Sequence, residues 1–412
     1  MSYKVVRMDE SIDSACVSAR ASYLRELALP LMRARCAFSA LQLQTTAREL
    51  RLYLAPHIDY SSQLSLSAAI GAFDGFHMGH QELLEHVFVS AVQTGYTSCA
   101  ILFDPDPSFV LSALALSPAN AHALPSSLLS IEDRVGLLAA QGVDVICVVP
   151  FTRACSRRSF RSFFEDLILP DLCIREIHVG KNFCIGYQAK GNARTLQAYF
   201  AHSPISFHAH ALVEHDQMRV SATRLRTLIQ EGALEYSAHL LTRAYFVRGR
   251  VLRGRNKGKS FGFPTANVGV DPIYTMPKRG VYLGIVEYEG FAYPAAINVG
   301  LPKSFEAKAL MHASQNTSFY ERLQHFVEET QSEASKSTVP AQAQVISLLQ
   351  THVLEAHLLG FSQTIYGEAV SVMFLERLRD EEYFSSPEAL AQSVTATIEY
   401  VQSHIGAKGV EL

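Results

Sequence analysis

The stretch from Ala69 to Leu84, AIGAFDGFHMGHQELL, constrains the chain most, because an apolar run there breaks at glycines and restarts as a helix. The apolar residues before Gly71 predict a buried strand, and Gln81 to Val89 has helical spacing. Between them, Gly71, Gly75 and Gly79 let backbone approach a ligand. His77 and His80 therefore stand where a helix begins, at the positive end of its dipole and beside its unpaired N–H groups, which suits the triphosphate of a nucleotide. Imidazoles in that place can donate to charge that develops on phosphoryl oxygens. Taken alone, the two residues read equally as ordinary turn histidines; the glycines and the strand-turn-helix context favour the phosphate reading.

From Leu64 to about Leu212 strand-like and helical runs alternate: Ser98 to Phe103, Ile131 to Ala140, Val143 to Pro150, Phe160 to Leu169 and Glu176 to Val179. Such alternation predicts a parallel sheet covered by helices, with ligands bound beyond the carboxyl ends of the strands near a topological switch point. A helical linker follows, Gly232 to Thr242, and the texture then changes. Tyr245 to Leu252, Val281 to Tyr288, Tyr293 to Asn298, Val353 to Leu359 and Ala369 to Phe374 are short strands of a small barrel, closed by a helix over Pro387 to Ser403. With 412 residues, two or three domains are expected. The boundaries drawn here are 61–231 for the α/β domain, 232–244 for the linker and 245–405 for the barrel. Residues 1–60 form an unassigned extension, helical over Ser18 to Leu54. Residues 307–350, rich in Glu, Ser, Gln and Ala, read as an inserted, partly disordered loop with one helix around Tyr320 to Val327.

A formal charge of −3 gives no global bias toward nucleic acid or an acidic membrane surface, so any basic site is local. No apolar stretch reaches the ~18 residues of a membrane helix, and no signal peptide is evident. Seven cysteines without a CxxC pair suit a reducing cytosol, with no disulfide and no structural zinc expected. The expectation is a soluble, cytoplasmic protein.

Four further segments carry chemistry. Phe103-Asp-Pro-Asp-Pro107 ends a strand in a proline-stiffened loop that points Asp104 outward, or is a plain Pro-Asp turn. Val179 to Gly191 holds three glycines among lysines, as either a backbone clamp or a glycine-rich connection. In Arg219-Val-Ser-Ala-Thr-Arg-Leu-Arg226, Ser221 or Thr223 can cap the following helix while Arg219, Arg224 and Arg226 neutralise phosphate; a capped basic helix is the plainer alternative. Between Arg248 and Lys259 six basic residues occur in twelve. With Phe261 and Phe263 they suit single-stranded RNA on a barrel face. Alternatively, Gly254 to Asn267 is a phosphate loop whose hard oxygen donors suit nucleotide-bound Mg²⁺. A buried strand glutamate, Glu355, needs a partner or a task, and is the natural base for a sugar hydroxyl.

Gly71-x-Phe-Asp-Gly-x-His-x-Gly-His80 resembles the first motif of the bifunctional riboflavin kinase/FMN adenylyltransferase family, the FAD synthetases of bacterial type. Its second half is the signature of the HxGH nucleotidyltransferases. Phe103 to Pro107, Val179 to Gly191 and Arg219 to Arg226 are similar to that family's next motifs in order, with Ile185 for Phe, a displaced Lys190 and Ala222 for Ser. Gly254 to Asn267 resembles the flavokinase motif GxxxGxxxGFPTAN. Gly280-Val-Tyr282, Asn298-Val-Gly300, Leu354 to Phe361 and Leu378 to Phe384 resemble later kinase segments, with Gly360 and Thr364 where acids are usual and a changed stretch at Leu301 to Phe305.

The resemblance, over about residues 65 to 405, implies an HxGH nucleotidyltransferase domain with a Rossmann-like parallel sheet. An antiparallel β-barrel riboflavin kinase domain with a carboxyl-terminal helix would follow. It implies conversion of riboflavin to FMN and of FMN to FAD, with ATP as co-substrate and Mg²⁺ as cofactor. Riboflavin, FMN and ATP would be its ligands, with no nucleic acid and no membrane partner. His77, His80 and Glu355 would be catalytic. Gly71, Phe73, Asp74, Gly79, Asp104, Asn182, Arg219, Ser221, Thr223 and Arg224 would bind ATP or FMN in the adenylyltransferase. Gly254, Lys259, Gly262, Pro264, Thr265, Asn267 and Arg379 would bind ATP or flavin in the kinase, with Thr265 and Asn267 on the metal. The rival readings are a monofunctional kinase and a flavin- or RNA-binding protein that has lost one or both activities.

Overall fold

The computed structural model describes residues 14–60, 63–108, 110–111, 126–253, 263–271, 273–300 and 352–412. They fall into two compact units, one built on 33–222, the other on 223–300 and 352–412 with the first helix up to Met32.

The first unit follows from runs apolar on both faces. β3 (Leu66–Ile70), β4 (Thr97–Asp104), β5 (Val145–Pro150), β6 (Ile174–Gly180) and β9 (Ser206–His210) make a parallel sheet in the order β5-β4-β3-β6-β9. β3, β4 and β5 are buried almost throughout, as strands covered on both faces must be. The order reverses between β3 and β6, which makes their carboxyl ends the switch point. α2 (Met78–Thr94) packs on β3, β4 and β6 and stops at Gly95, whose left-handed conformation lets its N–H reach the carbonyl of Ala91. α3 (Ile131–Ala140) opens on Ser130, whose side chain accepts from the Asp133 amide. α4 (Ala193–Phe200) covers β9. Two-residue strands β7 (Cys184–Ile185) and β8 (Gly191–Asn192) make one ribbon, and β10 (Glu214–His215) and β11 (Met218–Arg219) another.

The helix expected over Ser18 to Leu54 is corrected. α1 (Ser14–Ala40) ends early, and β1 (Gln42–Thr45) and β2 (Arg51–Leu54) lie antiparallel beside β5. Arg51-Leu-Tyr-Leu54 has period two, with Leu52 and Leu54 fully buried, and the free edge of β5 offers it a ladder that a solvated helix lacks. The run Phe160 to Leu169 begins helical and widens into a π-turn over Phe163–Ile168.

In the second unit, α5 (Ala222–Glu231) and α6 (Leu234–Leu241) precede a barrel. β12 (Tyr245–Leu252), β13 (Ala266–Val270), β14 (Gly280–Tyr288), β15 (Phe291–Val299), β16 (His352–Leu358) and β17 (Ala369–Arg379) pair antiparallel in the cycle β14-β17-β12-β13-β16-β15-β14, which closes it. Inside lie Val268, Tyr282, Ile297, Leu354 and Ala356. α7 (Pro387–Ile405) packs on β15, which also receives β18 (Val410–Glu411). The sequence left β13, β9 and β18 unassigned. The expected insertion at 307–350 lies outside the described residues, as do Gly254, Lys259 and Gly262. Among the described residues no helix is long and apolar enough to cross a membrane.

Candidate functional site

The loop from Gly71 to His77 joins β3 to α2 at the switch point. Gly75 has φ +76°, and a Cβ there would come within 2.5 Å of Leu128, so glycine is required. His77 stands at the amino-terminal cap of α2, 6 % exposed, and its ring stacks on that of His80 at 3.8 Å. A Cβ at Gly79 would stand 3.2 Å from Nδ1 of His77, so the small residue gives that ring its place. Phe73, fully buried, puts its ring 5.3 Å from His80. Across the switch point, Asn182 follows β6, exposed, in a turn closed by the Phe183 amide on the Gly180 carbonyl.

Two carboxylates expected at the ligand are turned elsewhere. Asp74 is 4 % exposed and accepts from the amides of Leu128 (2.8 Å) and Leu129 (3.1 Å), so it braces the loop. Asp104 does not point outward. It is 3 % exposed, and Arg51 of β2 donates to it at 2.5 Å, because a carboxylate at a buried strand end needs a cation.

Arg134 of α3, 1 % exposed, donates to the carbonyl of Ala72 at 3.0 Å and lies 3.4 Å from the Asp106 carboxylate. Thus α3 ties the histidine loop to the loop after β4. Sequence reading missed Arg51 and Arg134, and an arginine in the first turn of a capped helix was the one available signal for the second. Arg219 lies on β11 and Ser221 just beyond, both in the first unit, while Thr223 and Arg224 belong to the second. Arg224 donates to the Tyr236 hydroxyl at 2.6 Å.

Beside Phe103 and Pro107 opens a cavity of about 620 Å³, walled mainly by Phe151, Phe163, Ile185 and Tyr187. Burial pushes the thiol of Cys155, another wall residue, up to about 11, so it stays protonated. Beneath α2, a histidine stack escaped sequence analysis. His178 and His208 are register partners, the His178 Nδ1 to His210 Nε2 distance is 3.0 Å, and His86 stacks on His210 at 3.9 Å. Burial first, then the neighbouring imidazoles, lowers His178 and His210 to about 4, with Glu176 opposing the shift at His178.

In the barrel, register builds the second site. Glu355 on β16 pairs with Asn267 on β13 and with Asn298 on β15. Directly paired residues share a face, so one row presents Asn267, Glu355 and Asn298. Glu355 is exposed on the outer face rather than buried as expected, because Leu354 and Ala356 take the interior. The row continues through Val281, the partner of both Asn298 and Arg379. Arg379 donates to Ser393 of α7 at 2.8 Å and lies 3.6 Å from Glu382. Thr265 and Pro264 are exposed just before β13, and Nδ1 of His357 donates to the Pro264 carbonyl at 2.8 Å. Among the described residues no group of three His, Cys, Asp or Glu could hold a metal.

Comparison with known proteins places both sites. The family model described as FAD synthetase matches residues 60–224, and the one described as riboflavin kinase matches 241–405. The Bifunctional riboflavin kinase/FMN adenylyltransferase of Bacillus subtilis (strain 168) is 27% identical over 339 residues, covering 82% of this chain and 92% of its own. Proteins of the same name from Pseudomonas fluorescens (27% over 331 residues, 80% and 90% covered) and Escherichia coli strain K12 (25% over 328, 79% and 88%) are similar to it. A solved structure titled macrolide-efflux protein from Streptococcus pneumoniae shares the fold, with a TM-score of 0.64 at 24% identity over 83% of this chain and 95% of that one.

Proposed function

Since the chain belongs to the bifunctional riboflavin kinase/FMN adenylyltransferase family, we propose that its barrel row and its switch-point loop are the two active sites of one two-step synthesis. The enzyme phosphorylates riboflavin to FMN and adenylylates FMN to FAD, using ATP in both steps.

In the barrel the 5′-hydroxyl of the ribityl chain attacks the γ-phosphorus of ATP and ADP leaves. Glu355 accepts the hydroxyl proton. The observation that carries this assignment is the register that sets Glu355 between Asn267 and Asn298, a base with amide groups on both sides. The oxygen donors Thr265 and Asn267 fit a hard cation, and they would hold Mg²⁺. That ion, when bound, neutralises charge on the phosphates. Pro264 is fixed by His357, which keeps the approach to Thr265 in place.

At the switch point the FMN phosphate attacks the α-phosphorus of ATP and pyrophosphate leaves, so no protein nucleophile is needed. His77, His80 and Asn182 stabilise the charge in transit, helped by the amino terminus of α2. Arg219 and Ser221 contribute to phosphate binding from the end of the unit. Gly71 and Phe73 shape the loop, and the cavity beside Phe103 takes the flavin ring. Incubating the purified protein with riboflavin, ATP and Mg²⁺ and separating the products should give FMN first and FAD after it. FMN without FAD would leave a monofunctional kinase, and flavin binding without turnover would leave a binding protein.

A further inference from the structure

The cavity beside Phe103 is apolar except at one wall. Arg153, Arg157 and Arg158 line it there, and no Asp or Glu does. Three cations against an otherwise aromatic surface call for a flat ligand with electron-rich oxygens on one edge. Arg153 and Arg158 are half-buried, whereas Arg157 is exposed. Their backbone is held as firmly as the walls. The hydroxyl of Thr152 accepts from the Cys155 amide, and the Arg158 carbonyl accepts from the amide of Tyr187, itself a wall residue, at 2.7 Å. Arg158 also donates to Ser162 at 3.1 Å, which orients its guanidinium while leaving further N–H groups for a ligand.

Topology decides which end of a flavin these arginines meet. They follow β5, and the switch point lies beyond β4 and β3. Strand spacings of ~4.8 Å put them roughly 12 Å from the place where phosphate must sit for adenylyl transfer. They are therefore at the ring end of bound FMN, not its phosphate end. The isoalloxazine ring carries methyl groups at one extremity and two carbonyl oxygens at the other. Guanidinium N–H groups match the second.

We propose that Arg153 and Arg158 determine flavin specificity in the adenylyltransferase site by donating to the carbonyl oxygens of the pyrimidinedione edge. The proposal rests on the reading that FMN is adenylylated in this unit. Arg153→Gln and Arg158→Gln should each raise the KM for FMN about tenfold while kcat stays within about threefold, since ring recognition is remote from the phosphorus. An FMN analogue with sulfur in place of the C2 carbonyl oxygen tests the contact itself. It should bind the wild-type chain more weakly than FMN, and at least one variant should discriminate less between the two. Riboflavin phosphorylation by the same preparations checks that each variant is folded. For a variant that is not, the wild-type chain gives the answer: FMN should protect Arg153 and Arg158, but not Arg161, from phenylglyoxal as read by peptide mass spectrometry. An unchanged KM in both variants, undiminished discrimination against the thio analogue in both, or absence of protection would overturn the assignment. A wild-type chain that makes no FAD from FMN would instead overturn the reading it rests on.

Discussion

Glu355 faces an asparagine from each neighbouring strand, so its carboxylate is surrounded by groups that position a substrate without supplying a base. Glu355→Gln keeps the size and removes the basicity. FMN formation should then fall by a factor of ~10² to 10⁴ with little change in ATP binding, while FAD formation from added FMN persists. Unaltered phosphorylation would make the residue structural. At the other site His80→Ala should abolish conversion of FMN to FAD and spare riboflavin phosphorylation. A parallel loss of both products would contradict separate sites. Arg51 shows that a residue far from the phosphates has a stake in the same chemistry. Removing its guanidinium strips a cation from Asp104, a carboxylate 3 % exposed, at a cost of ~3 kcal/mol or more. Arg51→Met should lower the melting temperature of the first unit by several degrees and weaken FMN adenylylation, as calorimetry and product analysis would record.

Among the elements, the strands with period-two or continuous apolar runs were legible, and so was α2, because the glycines before it and the imidazoles at its start are local signals. What escaped depends on partners. β1 and β2 look helical until β5 is present to pair with them, and Glu355 looks buried until the register shows that its strand neighbours take the interior. Asp74 and Asp104 were named correctly as residues of the site loops, but no periodicity reveals that their oxygens are already engaged. The histidine stack between α2, β6 and β9 is another long-range product of register. It carries a pH dependence. His178 and His210 titrate near 4 in the folded chain and near 6.5 when unfolded, so below 6.5 the unfolded state binds protons that the fold refuses. The stability they contribute is complete above 6.5 and is lost as pH falls toward 4. Melting temperatures of the wild-type chain should drop over that window more steeply than those of His210→Gln; equal slopes would remove the stack from the account.

For the molecule as a whole, closure of the barrel separates what is necessary for the kinase from what is carried along. β15 and β16 pair from Ala295–Val299 to Leu354–Leu358, and that ladder sets the row containing Glu355. Joining the two strands by a short Gly/Ser linker in place of residues 310–348 changes loop closure by little, since each doubling of length costs only ~0.6 kcal/mol. Riboflavin phosphorylation should stay within about an order of magnitude, and collapse of the circular dichroism spectrum would show the segment to be indispensable. Closure also governs how the protein behaves when crowded. A closed cycle of strands has no unpaired backbone to offer a neighbour, whereas the open sheet of the first unit ends at β1 and at β9. β1 is only four residues long and exposed throughout, Gln-Leu-Gln-Thr, which gives a stranger little to grip. Should this enzyme gel or precipitate at high concentration, the first intermolecular ladder belongs to the longer β9, and a lysine in place of Ser206 at its start is the change most apt to keep the solution clear.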